Sequence, residues 1–366
     1  MKERIYSIDL FRILMVVFIL LFHSNIHLNC QYGILTTFIS QSAIFMVAFF
    51  MLSGFALYYT YYDRETDSIS DTITFYIKRL IKIYPLYLFI YIAYLIFFNS
   101  LSLTKNLVIA PIELLLLQSF FSSLFNVLNN GGTWFLSCLF FCYLLFPWLK
   151  GLVLKLQKKK LLFWGLYFIS SLSPLVAKVF STRDLYSNPF YRLIEFFLGM
   201  MIADLVLKNK TKIKRYLAVP IILEMLILII SVSLLSAYFT NDYTMYNFIT
   251  VPVFALLIYH LSGVHNQFVI NISKNSVTQY LNAISFPFYL AQTFTFKIMP
   301  RIKSMPWFGT YTNGKLISVT LLINLVITVL LYEAIQKPVE KWLSPWCRAH
   351  EMQTDKEKTK KITRRK

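Results

Sequence analysis

Cysteine is scarce in this chain, and so is charge. Four cysteines in 366 residues do not make a disulfide framework. Cys138 and Cys142 lie four apart in one apolar run, and Cys30 and Cys347 are expected on opposite sides of a membrane. No CxxC pair or His/Cys cluster has the spacing of a metal site, so no metal is expected. Only 14% of residues are charged while 57% are hydrophobic, which excludes an ordinary soluble core. The formal charge of +19 comes without any nucleic-acid motif, and no nucleic-acid partner is expected. No small-residue cleavage site follows the first apolar run, so that run reads as a retained helix rather than a signal peptide. Neither a soluble domain nor an internal repeat is visible.

What the chain does have is a succession of apolar segments. The expected fold class is all-α: a polytopic integral membrane protein with about ten transmembrane helices plus one re-entrant or interfacial helix. The segments are 8–29, 38–60, 83–98, 133–149, 161–178, 190–207, 216–236, 247–263, 281–299 and 316–335. Residues 61–82 read as a polar, basic loop that ends before Pro85. Residues 107–124 are apolar but interrupted by Pro111, Glu113 and Gln118, and parity argues that they do not cross fully. Under this arrangement 27 of the 36 Lys and Arg fall in cytoplasmic segments. Six fall outside: Lys105, Lys178, Arg183, Arg301, Lys303 and Lys315. That bias sets both termini in the cytoplasm and the protein in the cell membrane. Residues 1–346 form the membrane domain, and 347–366 a basic tail with the composition of disorder.

The first segment carries three ionisable residues at positions where apolar ones cost less: Asp9, Arg12 and His23. A charge at bilayer depth costs on the order of 3 kcal/mol, so such groups mark function by default. Arg12 and His23 are eleven residues apart, which is about three helical turns, about 16 Å along the axis and nearly on one face. The alternative is an interfacial Arg that snorkels and a hydrogen-bonded interior His.

Further motifs follow in order: F-F-M-L before Ser53-Gly54-Phe55; Phe75 through Lys78, Arg79 and Lys82 to I-Y-P-L-Y; Trp134-Phe135-Leu136-Ser137; Arg192-Leu193-Ile194-Glu195 with Gly199; Ser285-Phe286-Pro287-Phe288-Tyr289 with Gln292; and Tyr332-Glu333 through Lys337-Pro338 to Trp342. Together with Asp9-x-x-Arg12 and His23-Ser24, this ordered set resembles the acyltransferase type 3 family of integral membrane acyltransferases. The resemblance implies transfer of an acyl group, usually acetyl from acetyl-CoA, to a hydroxyl of an extracytoplasmic carbohydrate or glycolipid. Acyl-CoA is then a co-substrate, no cofactor is held permanently, and membrane lipid surrounds the protein. The resemblance is to the form without an appended extracytoplasmic domain. Three places differ from the family pattern: its basic R-x-x-R reads Arg79-x-x-Lys82, many members carry a Glu soon after the Trp of the fourth motif where this chain reads S-C-L-F, and many have His where this chain has Gln292.

Acyl transfer to a hydroxyl needs a base, and histidine suits that at neutral pH. His23 is the candidate, with His27 one turn on read as structural or interfacial. Asp9 and Arg12 are spaced to pair on the helix, and Arg12 either holds an anionic part of the donor or anchors the helix. Lys78, Arg79 and Lys82 are candidate ligands of the CoA phosphates; topology alone also explains them. Trp134 fits either an aromatic belt or a site that packs a sugar or pantetheine. Arg192 and Glu195 fit acceptor contact or structural pairing. Glu224 fits an interhelical hydrogen bond or the site. Cys138 has nothing nearby in sequence to make it a nucleophile. The rival functions are a multi-pass transporter or glycolipid flippase without acyl-transfer chemistry, and a purely structural membrane subunit.

Overall fold

A computed structural model describes residues 4–64, 69–98, 102–125, 127–179, 185–209, 218–236, 247–264, 266–309, 312–343 and 345. The expected basic tail, 347–366 with Cys347, lies outside the described residues. All regular structure among the described residues is helical. In chain order the helices are α1 (Tyr6–Leu28), α2 (Thr36–Ile39), α3 (Phe45–Tyr61), α4 (Ile69–Phe97), α5 (Leu103–Leu114), α6 (Trp134–Lys155) and α7 (Lys159–Val179). Then come α8 (Pro189–Lys208), α9 (Ala218–Leu235), α10 (Asn247–Ser262), α11 (Gln267–Lys274), α12 (Ser276–Ala283), α13 (Ser285–Lys303) and α14 (Asn313–Leu331).

A helix lies over each of the ten predicted segments, but the count of crossings is not thereby ten. Among the described residues, five stretches are long and apolar enough to span hydrocarbon: Tyr6–Leu28, Ser42–Tyr61, Ile69–Phe97, Gly131–Lys155 and Asn313–Leu343; the bent pair Asn247–Ser262 and Gln267–Lys274 makes a sixth if it counts as one span. Others are too short or too polar by composition. α8 carries Arg192, Glu195 and Asp204, all buried, so its polar groups face protein rather than lipid.

Two boundaries differ from the sequence expectation. Lys78, Arg79 and Lys82 are not in a loop: α4 starts at Ile69 and runs through Pro85. Proline removes one backbone donor and frees one carbonyl a turn earlier, a loss that a packed membrane helix tolerates. The predicted segment 281–299 is divided at Ile284, where α12 ends and α13 begins. Residues 107–124 hold the end of α5 and a 3-10 stretch, Gln118–Leu124, separated by a turn with Leu116 at φ 56°. Twelve helical residues cover about 18 Å, well short of the roughly 30 Å hydrocarbon core.

α3 and α8 form the closest pair in the core. Their backbones touch at Gly54 and Gly199. A Cβ on Gly54 would lie 1.9 Å from the Phe196 carbonyl oxygen, and one on Gly199 would lie 1.9 Å from that of Met51. The small residue is therefore a packing requirement on both helices. At one end of this pair the buried Asp204 accepts from Tyr58 Oη at 2.9 Å and pairs with Lys159 Nζ at 2.7 Å, tying α3, α7 and α8 together. On the other flank α1 packs against α13, and α13 against α14 through Thr295 Oγ1 to Asn324 Oδ1 at 2.8 Å. α14 ends in a π-helical turn, Tyr332–Gln336; such turns re-aim side chains and recur at functional sites.

Candidate active site

α1 carries its polar groups toward α12 and α13. Asp9 and Arg12 share one partner: Asn282 at the end of α12 donates from Nδ2 to Asp9 Oδ1 at 3.2 Å and accepts from Arg12 Nη1 at 3.2 Å. Arg12 Nη1 is 3.6 Å from Asp9 Oδ1, and Arg4 Nε pairs with Asp9 Oδ2 at 2.6 Å. Asp9 is thus held by two cations and an amide, and one face of Arg12 is left for the space beside it.

That space is a cavity of about 510 Å³. Arg12, Arg79 and Lys82 line it, with Ser53 from α3, Tyr143 from α6, and Tyr332, Gln336 and Glu340 from the C-terminal helix. The π turn of α14 brings Tyr332 and Gln336 to its wall. Arg79 donates from Nη2 to Tyr61 Oη at 3.2 Å and lies over the rings of Tyr61 and Phe75, 5.4 and 5.5 Å from their centroids. Its buried Nε has no hydrogen-bond partner among the described residues. Three cations beside one carboxylate make this cavity electropositive, and clustered cations suit phosphate. Lys78 does not line it.

His23 faces a second cavity, of about 460 Å³. Its Nδ1 is 2.7 Å from Gln292 Oε1 on α13. The Gln292 amide is oriented in turn by Nε2, which points at the Val16 carbonyl 3.5 Å away. An amide oxygen accepts only, so this contact puts the proton of neutral His23 on Nδ1 and leaves Nε2 as the basic nitrogen. The other lining residues include His27, Trp134, Asn129, Asn130, Thr293, Phe296 and Lys297. Phe296 packs on both histidines, with centroids 5.6 Å from His23 and 5.3 Å from His27.

Tyr289 lines both cavities. It is buried at 8% exposure and packs edge-on against Phe135 at 5.2 Å. The two spaces therefore meet at one side chain, with the three cations on one side of it and His23 on the other.

The remaining candidates lie elsewhere. Arg192 and Glu195 are 1% and 0% exposed and line neither cavity. Arg192 Nη1 contacts both Glu195 oxygens at 2.7 Å, its Nε donates to the Tyr186 carbonyl at 2.7 Å, and Asn247 Nδ2 donates to Glu195 Oε1 at 3.2 Å. The pair is a hydrogen-bonded core element joining α8 to α10. Its guanidinium also lies 5.7 Å from the Trp134 ring centroid, so it backs one wall of the His23 cavity. Glu224 meets His260 Nδ1 on α10, away from both cavities. Cys138 is fully buried and bonds to the Ser187 carbonyl.

Several participants had no assigned role in the sequence reading. Tyr289 stands inside the Ser285–Tyr289 motif, and Gln292 stands where many family members have His. Asn282 gives no signal, because a lone Asn at a helix end is ordinary. Glu113 sits in the troublesome segment 107–124. Its carboxylate accepts from Asn129 Nδ2 at 2.9 Å and from the Asn130 backbone N–H at 3.2 Å. Burial pushes that carboxyl above its usual range, against the pull of these donors.

Intramembrane charges shared between helices, and two cavities meeting at one aromatic side chain, define a polytopic membrane protein with a buried polar site. The chain belongs to the acyltransferase type 3 family: the family's sequence profile, described as an acyltransferase domain, matches residues 5–333. It is a membrane acyltransferase. No curated protein and no solved structure matches the chain.

Proposed function

We propose that the protein moves an acetyl group from cytoplasmic acetyl-CoA to a hydroxyl of an extracytoplasmic carbohydrate or glycolipid. The observation that carries this reading is the meeting of the two cavities at Tyr289. The Arg12 cavity receives the CoA phosphates on Arg79 and Lys82, and the thioester arm extends past Tyr289 toward His23. In the ten-span arrangement, with both termini cytoplasmic, the Arg12 end of α1 lies at the inner leaflet and the His23 end in the outer half. The acceptor enters the His23 cavity from outside.

His23 Nε2 takes the proton of the acceptor hydroxyl as its oxygen attacks the thioester carbonyl carbon. The tetrahedral intermediate collapses, the C–S bond breaks, and the CoA sulfur leaves with the proton returned from His23. Gln292 accepts from Nδ1–H throughout and stabilises the imidazolium that forms. General base catalysis of this kind contributes about 10²–10⁴ in rate.

The test is transfer of labelled acetyl in proteoliposomes holding the full chain. Arg79→Ala with Lys82→Ala is expected to raise KM for acetyl-CoA by about tenfold or more, as lost charge-assisted hydrogen bonds to phosphate do, with KM for the acceptor unchanged. Lys82→Arg, which supplies a planar fork, is expected to lower the donor KM. An unchanged donor KM in the double variant contradicts the assignment.

A further inference from the structure

The His23 cavity carries a charge pattern that acyl transfer does not require. Lys297 is the one lysine or arginine among its lining residues, with the imidazoles of His23 and His27 beside it. No acidic side chain lines it among the described residues. Lys297 is exposed at its edge and makes no ion pair among the described residues. Arg301 stands four residues on along α13, also exposed, so it lies on the same helix face one turn further from the cavity. Asn129 and Asn130 also line the cavity, and their Oδ1 and Nδ2 respectively are buried and have no hydrogen-bond partner among the described residues. Asn130 is only 5% exposed. Glu113 holds both residues by their other polar groups, Asn129 Nδ2 and the Asn130 backbone N–H. Its carboxylate is occupied there and is itself 1% exposed. One free amide acceptor and one free amide donor thus remain beside the cavity. Buried polar atoms left in that state are costly unless a ligand or water meets them.

We propose that this cavity is built for an acceptor carrying negative charge, a carboxylate or phosphate on the sugar. Lys297 meets the anion, and Asn129 and Asn130 receive neighbouring hydroxyls. The lysine ammonium is a compact point charge suited to either anion. Arg301 extends the positive field outward along α13 and raises the local concentration of such a chain at the mouth. Trp134 supplies the flat apolar wall on which a sugar ring packs. The inference rests on the reading that the His23 cavity is the acceptor side.

Equilibrium binding to the full chain in nanodiscs, without donor, tests it apart from catalysis. The probes are an oligogalacturonate for carboxylate, a phosphorylated oligomannoside for phosphate, and maltotriose as the neutral sugar. At low salt at least one anionic probe is expected to bind about tenfold tighter than maltotriose, with the advantage shrinking as salt is added. Which of the two binds identifies the anion. Lys297→Gln is expected to remove most of the advantage and leave maltotriose unchanged, and Lys297→Arg to keep it. Equal affinity for charged and neutral probes overturns the proposal. So does a Lys297→Gln chain that retains the advantage, which assigns the lysine to lipid headgroups instead. Lys297-dependent binding without any acyl transfer leaves this site standing and removes the proposed reaction.

Discussion

At the scale of residues, the account turns on which nitrogen of His23 is free. A histidine that is to take a proton must present one ring nitrogen unprotonated to the substrate and fix the other. Gln292 does the fixing through its oxygen, 2.7 Å from Nδ1. Gln292→Leu removes that acceptor while keeping a similar volume. Its kcat is expected to fall about 10–100-fold with KM for both substrates nearly unchanged, since the loss is one of orientation in the transition state. Gln292→Glu retains an oxygen at Nδ1 and is expected to keep more activity than Gln292→Leu at equal folded amount. Equal loss in both variants assigns Gln292 to packing alone. His23 and Arg12 were legible because a single helix fixes their spacing by its own periodicity. Asn282 and Gln292 were not, because they lie about 270 residues away from their partners, and local pattern carries no record of who packs against whom.

At the scale of elements, the tight pair of α3 and α8 holds the centre of the bundle. Gly54 and Gly199 stand in two separate sequence motifs, and neither motif shows that the two glycines meet. Each glycine faces the backbone of the other helix, at Phe196 and Met51. Backbone cannot yield as a flexible side-chain tip can. Gly54→Ala or Gly199→Ala is therefore expected to cost at least about 1–3 kcal/mol by overpacking, seen as a lowered Tm and reduced folded yield in detergent. Gly151 in α6 has nothing within 4 Å of its missing Cβ. Gly151→Ala is expected to be neutral or to stabilise by about 0.5–1 kcal/mol. A Gly199→Ala chain as stable as the parent contradicts the packing argument. The start of α4 shows the opposite failure of reading. The sequence places the basic residues before Pro85 in a loop, 61–82, with the helix starting at 83. In the fold the helix passes through Pro85 and carries Arg79 and Lys82 on its wall of the cavity. That position gives them a fixed geometry that a loop would not.

At the scale of the whole molecule, the chain is a membrane acyltransferase whose two cavities meet at Tyr289. All-helical architecture and the family were legible because apolar segments and short motifs recur along nearly the whole sequence. The number of crossings was less so, because helices such as α8 and α13 mix buried polar groups into apolar segments and are not long and apolar enough to count as spans by composition. The central claim is that acyl transfer runs through His23, with donor on one side of Tyr289 and acceptor on the other. The most direct measurement is labelled acetyl transferred per unit of folded protein in sided proteoliposomes, with acetyl-CoA confined to the face proposed as cytoplasmic. His23→Ala is expected to insert and fold normally, to bind donor, and to lose transfer by about 10²–10⁴, while His27→Ala keeps most of it. Near-normal specific activity of folded His23→Ala contradicts the account.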